Sequence, residues 1–359
     1  MSKKICLLVF SLSSGGAEKV AANMSISLSK KGYDVYIVAM TNFIDYNFEG
    51  ELYNFGLVKE KYNRLTAFFK FRKFFKESKF DYIIDHRTRP NFFKEWLFSK
   101  YIFQNFNVIY CVHNYRLNYY FSFLSFPKLS VLPHVKQRKF VSVSEEIRKK
   151  LKRKLNIESK TIYNFLSVND FSISLNENQF PSQDYIIGVG RLTEIKQFHK
   201  LVKSYYYSEL PKAGIELFIL GEGPERQNLE RQISELELEN LVKLLPFRKN
   251  PYDIIRNAKA LALVSKVEGF PMVLLEAVSL NTPIIAFNCK SGPSEIIINE
   301  VNGLLVENQN EAQLTNALNK LILDNSYYKK IKANTHNGLE KFSEEKIIQE
   351  WINLLENQI

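Results

Sequence analysis

The chain has 359 residues with 45% hydrophobic content, enough for two cores rather than one. No apolar run reaches the ~18–20 residues that a bilayer-spanning helix needs. Cys6, Cys111 and Cys289 are too far apart to suggest a disulfide framework or a zinc site. The net charge of +11 is uneven: residues 1–180 hold 29 Lys and Arg against 15 Asp and Glu, a net of +14, and residues 181–359 hold 20 against 23, a net of −3. Such asymmetry implies that the two halves face different things. No nucleic-acid module is visible, so the basic half suits an anionic membrane surface better.

The N-terminus carries charge and then a short apolar run, superficially like a signal peptide. The run is only about six residues and leads into a glycine loop and an amphipathic helix, as a first buried strand would. A cytoplasmic location is therefore expected. Strand patterns follow at Lys4–Phe10, Asp34–Ala39, Tyr82–Asp85, Val108–Val112, Phe140–Val143 and Thr161–Tyr163, with helical patterns between them, including Ala17–Lys31 and Ser144–Leu155. This alternation predicts a parallel sheet with helices on both faces. Ser14-Gly15-Gly16-Ala17 closes the first strand and opens a helix, where glycines let a backbone approach a phosphate. The full dinucleotide fingerprint is missing, which argues against hydride transfer. Lys59–Lys79 projects Phe68, Phe71, Phe74 and Phe75 onto one arc and its basic residues elsewhere, a basic amphipathic helix for a membrane or for the core. Aromatic residues at Tyr119–Phe126 and the cluster Lys136, Arg138, Lys139 extend this surface. Arg87 and Arg89, after the strand at Tyr82–Asp85, are candidate ligands for an acceptor's phosphates. His113 ends the strand at Val108–Val112, on the edge where cleft residues sit.

The polar segment 168–183 reads as a linker. Strand patterns resume at Tyr185–Gly190, Glu216–Leu220, Val242–Leu244, Ala260–Val264 and Pro283–Ala286. Two doubly wound domains would face each other across a cleft lined by the carboxyl ends of two sheets. Arg191 and Lys196 follow the first of these strands. Glu268 and Glu276 lie eight positions apart around a Gly-Phe-Pro turn, with a helix predicted from about Pro271. Free N–H groups at that helix start attract phosphate. A diphosphate seated there would leave one carboxylate for a sugar on each side. The chain has no Asp-x-Asp motif for a metal-bridged diphosphate, so cationic side chains and helix ends would do that work.

These segments, from FSLSSGGAEKV through GVGRLTEIKQFHKLV to VSKVEGFPMVLLEAV, in order over most of the chain, resemble the retaining glycosyltransferases of family 4. The resemblance implies the α/β GT-B fold. It implies an N-terminal acceptor-binding domain over 1–167, a linker over 168–183, a C-terminal nucleotide-sugar-binding domain over 184–342, and a final helix, 343–359, crossing back. It assigns Arg191 and Lys196 to the leaving diphosphate, Glu276 to the ribose, Glu268 to the transferred sugar and His113 to a hydroxyl of that sugar. Gly15, Gly16, Gly269, Phe270, Met272 and Val273 would line the donor through backbone groups, and Phe247 and Arg248 the base. The implied reaction is metal-independent hexosyl transfer without a cofactor, from a UDP-sugar to a lipid-linked or growing saccharide, with retention. The implied setting is capsule or O-antigen assembly at the inner face of the plasma membrane. Two competitors are a non-catalytic nucleotide-sugar-binding membrane scaffold and a sugar-nucleotide epimerase. The presence of Arg191, Lys196, Glu268 and Glu276 together argues against the scaffold.

Overall fold

The computed structural model describes residues 2–13, 15–134, 138–167 and 184–356. Ser14, Lys136 and the 168–183 segment lie outside them. The chain divides into two compact units, Met1–Ser167 with Phe342–Ile359, and Val168–Lys341.

The first unit runs β1 (Lys4–Val9), α1 (Gly16–Lys30), β2 (Asp34–Ala39), β3 (Glu51–Asn54), α2 (Phe55–Lys61), α3 (Arg64–Ser78), β4 (Tyr82–Asp85), α4 (Phe92–Tyr101), β5 (Asn107–Val112), α5 (Pro127–Val131), β6 (Arg138–Ser142), α6 (Glu145–Leu155) and β7 (Lys160–Thr161). Its seven strands are parallel, in the order β3-β2-β1-β4-β5-β6-β7. The central strands are buried along almost their whole length, as a sheet covered on both faces requires. The second unit runs β8 (Tyr185–Val189), α7 (Phe198–Tyr206), β9 (Glu216–Leu220), α8 (Arg226–Glu235), β10 (Val242–Leu245), α9 (Tyr252–Arg256), β11 (Ala260–Leu263), α10 (Met272–Ser279), β12 (Ile284–Phe287), α11 (Pro293–Ile296), β13 (Gly303–Val306), α12 (Glu311–Leu323) and α13 (Asn325–Ala333). Its six parallel strands run β10-β9-β8-β11-β12-β13.

The last helix, α14 (Glu344–Glu356), belongs to the first unit. Ile347, Ile348, Trp351, Ile352 and Leu355 make one helical stripe, and that stripe packs with Ile5, Leu7, Leu28 and Ile109. Lys3 and Lys139 donate to the carbonyls of Leu355 and Leu354, satisfying orphan acceptors at the negative end of the helix.

The predicted helix over 59–79 is two helices. Tyr62 is extended, and the Asn63 side chain accepts from the Thr66 N–H to start α3 anew. The apolar arc of α3 faces inward. Phe71 and Phe75 are fully buried among Phe55, Phe80, Phe98 and Phe103, and Phe74 stacks on Tyr53 at 3.8 Å. These rings belong to the core, and the exposed residues of α3 are Arg64, Leu65, Phe69, Lys70, Arg72, Lys73, Lys76 and Glu77. The strands β3 and β13 were not expected. Both are four residues long and at sheet edges, too short for a period to show.

Candidate functional site

In each unit the strand order reverses beside the first strand, between β1 and β4 and between β8 and β11. Such switch points open a crevice at the carboxyl ends of the strands. In the second unit the loops leaving β8 and β11 meet there. The Lys266 N–H donates to the Ile195 carbonyl at 2.8 Å. That contact sets Lys196 against Glu268, and Nζ lies 2.6 Å from Oε1 with both side chains mostly buried. The loop after β12 supports Glu268 from behind. The Glu268 N–H donates to the Lys290 carbonyl at 2.8 Å, and the Ser291 hydroxyl donates to the Gly269 carbonyl at 2.6 Å. Glycines make room for this junction. A Cβ on Gly221 would stand 2.0 Å from the Gly190 carbonyl oxygen, and one on Gly223 2.2 Å from that of Leu192. No side chain substitutes there without moving the backbone that carries Arg191.

Gly269 and Phe270 are buried and lead to α10, which begins after Pro271 with no side-chain cap. Met272 and Val273 open that helix, and Glu276 lies one turn further along it, buried. Arg191 stands exposed at the end of β8. The structure thus brings Lys196, Glu268 and the start of α10 together, with Glu276 on the same helix. An ion pair, a helix start without a side-chain cap and an exposed arginine form a setting that suits a dianionic phosphate group. Phe247 and Arg248 are exposed on the loop after β10, at the sheet edge.

In the first unit Gly15 is the N-cap of α1 and Gly16 its first residue. The Glu18 carboxylate curls back to 1.9 Å from where a Gly15 Cβ would be, so the glycine provides space rather than an unusual dihedral angle. His113 ends β5. Its Nε2 lies 3.0 Å from Nδ1 of His86, which follows β4, and its backbone N–H donates to the Tyr120 hydroxyl. Either tautomer of this pair leaves one ring N–H and one lone pair without a partner. Those atoms are His86 Nε2 and His113 Nδ1, both buried. Burial pushes the His86 ring down to about 4, with Arg89 adding to the effect against Asp85. Burial, then His86 and Arg89, hold His113 well below the ordinary imidazole range. Both rings are neutral at pH 7. The His86 partnership was missed from sequence. The pairing register, Asp85 beside Tyr110, puts residue 86 next to Cys111, but strand partners are invisible in a single sequence.

Arg87 and Arg89 are not free for an acceptor's phosphates. Arg87 makes a bidentate pair with Asp85, at 2.9 and 2.8 Å, and reaches Glu95 at 3.0 Å. Arg89 donates to the carbonyls of Asp85, Arg87 and Cys111. Both are buried. Burial alone would raise the Asp85 pKa, but the two guanidinium groups outweigh it and hold the carboxyl below its usual range. The arginines tie the end of β4 to the end of β5 and so fix the two histidines. His86, Cys111 and His113 also place one ligand atom each within 4.8 Å of one another. A thiol and two imidazoles suit a soft ion, not the hard ions that bridge diphosphates. Burial raises the Cys111 pKa, which opposes the thiolate that such an ion would need.

Two family models cover the chain. Residues 14–169 match Glycosyltransferase Family 4, and residues 171–338 match Glycosyl transferases group 1. The chain belongs to the family 4 glycosyltransferases. It is 26% identical over 358 residues to the amylovoran biosynthesis glycosyltransferase AmsD of Erwinia amylovora, covering 98% of this chain and 99% of that one. It is 27% identical over 378 residues to the N-acetylgalactosamine-N,N'-diacetylbacillosaminyl-diphospho-undecaprenol 4-alpha-N-acetylgalactosaminyltransferase of Campylobacter jejuni, again over 98% and 99%. Anabaena HepE in complex with UDP-glucose superposes with a TM-score of 0.76 at 19% identity, over 98% and 99% of the two chains. The two parallel-sheet units are those of the GT-B fold.

Proposed function

We propose that this glycosyltransferase moves a hexose from a UDP-sugar to a lipid-linked or growing saccharide in envelope polysaccharide assembly, with retention and without a metal. The observation that carries the reading is the Lys196–Glu268 pair beside the uncapped start of α10. Arg191 and Lys196 neutralise the charge that grows on the leaving UDP, and the first-turn N–H groups of α10 share it. Glu276 accepts from the ribose hydroxyls. Glu268 orients the transferred sugar and holds Lys196 in place between turnovers. Gly15 and Gly16 let the α1 start approach the donor, and Phe247 and Arg248 border the base. His113, held neutral, exchanges a hydrogen bond with a sugar hydroxyl. No protein nucleophile is required. The acceptor oxygen attacks from the face that the UDP leaves, and the departing phosphate takes its proton.

The relatives support the donor and acceptor classes. HepE holds UDP-glucose, and the Campylobacter relative is named for a diphospho-undecaprenol acceptor. The +14 charge of residues 1–180 suits an anionic inner membrane face, with the chain held peripherally. The test is incubation with labelled UDP-sugars and undecaprenyl-diphosphate-linked saccharides in EDTA, with the product anomer read by NMR. An α-linked product from an α-donor is expected. An inverted product, or an isomerised donor without transfer, would refute the reading.

A further inference from the structure

We propose that the outward face of α4, with the loop and short helix at α5, docks on a bilayer rich in anionic lipid. The face is apolar where a surface helix is normally polar. Glu95 and Phe98 of α4 point inward and are buried, yet Phe93, Trp96, Leu97 and Tyr101 are exposed on the other side, Phe93 at 71%. Phe123, Phe126, Leu129 and Leu132 continue the patch, Phe126 at 65%. The two parts are contiguous. The Phe92 ring lies 5.5 Å from Phe93 and 5.4 Å from Phe123, and the Ser122 hydroxyl donates to the Pro90 carbonyl at 2.7 Å. A cleft of about 1150 Å³ opens beside α5, walled by Phe126, Leu129, Leu132, Phe140 and Ile157, with room for part of a lipid chain.

Charge selects the occupant. Residues 92–140 contain seven Lys and Arg and one acid, Glu95, which is buried and spent on Arg87. The face thus presents cations and aromatic rings, and Glu158, an exposed carboxylate that lines the cleft, is paired with Lys152. Lys100 lies over the Trp96 ring at 4.9 Å, its stem along the apolar surface and its charge at the rim, and Lys128 is exposed on α5. A second copy seated here about a two-fold axis would set these lysines against themselves, whereas anionic headgroups would neutralise them. An aromatic face rimmed by cations is built for the headgroup boundary. α3 is the weaker candidate, because Phe71 and Phe75 are in the core and its exposed large apolar side chains are Leu65 and Phe69 alone.

The inference rests on the membrane-side acceptor proposed above and is independent of the donor site. The chain has two tryptophans, Trp96 on this face and Trp351, 96% buried in α14. Trp351→Phe therefore leaves Trp96 as a built-in depth probe. With vesicles of phosphatidylglycerol and phosphatidylcholine carrying brominated chains, Trp96 emission should shift to the blue and fall at least twofold. Phe93→Ser with Phe126→Ser should lower vesicle binding at least tenfold. Lys70, Lys73 and Lys76→Glu on α3 should weaken binding through charge alone and leave the quenching of the bound fraction unchanged. UDP calorimetry should be the same for every variant, which separates failure here from failure of the donor assignment. Vesicle binding without Trp96 quenching would overturn the proposal. So would unchanged binding of the Phe variant, or light scattering showing that the face pairs two copies instead.

Discussion

Arg191 and Lys196 differ in how the protein holds them, and their substitutions should differ accordingly. Lys196 is paired to Glu268, so Lys196→Ala removes a cation and also leaves a mostly buried carboxylate at the diphosphate. Arg191 is exposed, so Arg191→Ala should remove only the contact proposed for it with the leaving group. Each should cut turnover by about 10²–10³, worth roughly 2–4 kcal/mol in the transition state, with Lys196→Ala the more severe. Steady-state rates and melting curves would check this, and near-normal turnover in both would remove them from the site. Glu276→Ala should weaken UDP itself, while Glu268→Ala should act mainly on binding of the intact donor. Calorimetry with UDP and UDP-sugar separates the two, and equal effects on UDP would refute the division. Arg87 belongs to a different class. Arg87→Met should cost about 3–5 kcal/mol of stability, because it strands Glu95 as a buried charge and leaves Asp85 with Arg89 alone. A stable Arg87→Met whose only defect is acceptor affinity would restore the phosphate-binding role. In the sequence, DHRTR looked like a solvated or phosphate-binding loop. Nothing in the spacing shows that Asp85, in a buried strand, and Glu95, a turn into α4, turn back on the arginine.

At the level of elements, long periodic segments were legible and edges were not. The strands Asp34–Ala39, Tyr82–Asp85 and Glu216–Leu220 match their apolar runs to the residue, and α1 and α6 start within one residue of expectation. The amphipathic pattern of α3 was also legible, but an aromatic stripe reads the same whether it meets a core or a bilayer. The deciding fact is tertiary: Phe55, Phe80, Phe98 and Phe103 already surround it. Phe71→Ala should therefore cost about 3–5 kcal/mol in chemical denaturation, as a large aromatic lost from a packed core does. Lys73→Glu, exposed and paired with Glu77 at 3.7 Å, should cost less than about 1 kcal/mol. A mild Phe71→Ala would place that ring outside the core. The second unit carries the most local signals, because its glycine turns and the Glu268–Glu276 spacing are short-range in sequence. The His86–His113 contact joins residues 27 apart through strand register, which no local pattern encodes.

Over the whole molecule, acid should loosen the first unit. His86, His113 and His134 all have folded pKa values below the ordinary imidazole value of about 6.5, chiefly through burial, with His86 at about 4 and His134 at about 3. The folded rings resist protons that the unfolded chain accepts below pH 6.5. Stability is thus full above that pH and falls as pH drops toward 4, by on the order of 3 kcal/mol for His86 alone. Asp85, Arg87, Arg89, Cys111, Tyr120 and Trp351 surround the pair. Of these, Asp85 adds to the loss only at still lower pH, as its carboxyl takes up a proton. Melting temperature against pH should fall between 6.5 and 4 and do so less steeply in His86→Gln; a flat profile would contradict the burial of these rings. In the proposed site, side chains and a helix start hold the diphosphate without a metal. Calorimetry of UDP with the full chain in EDTA tests it most directly. The wild type should bind, and Arg191→Ala, Lys196→Ala and Glu276→Ala should each weaken binding about tenfold or more, some 1.4 kcal/mol. UDP binding that appears only when a divalent ion is restored, or that survives all three substitutions unchanged, would contradict it.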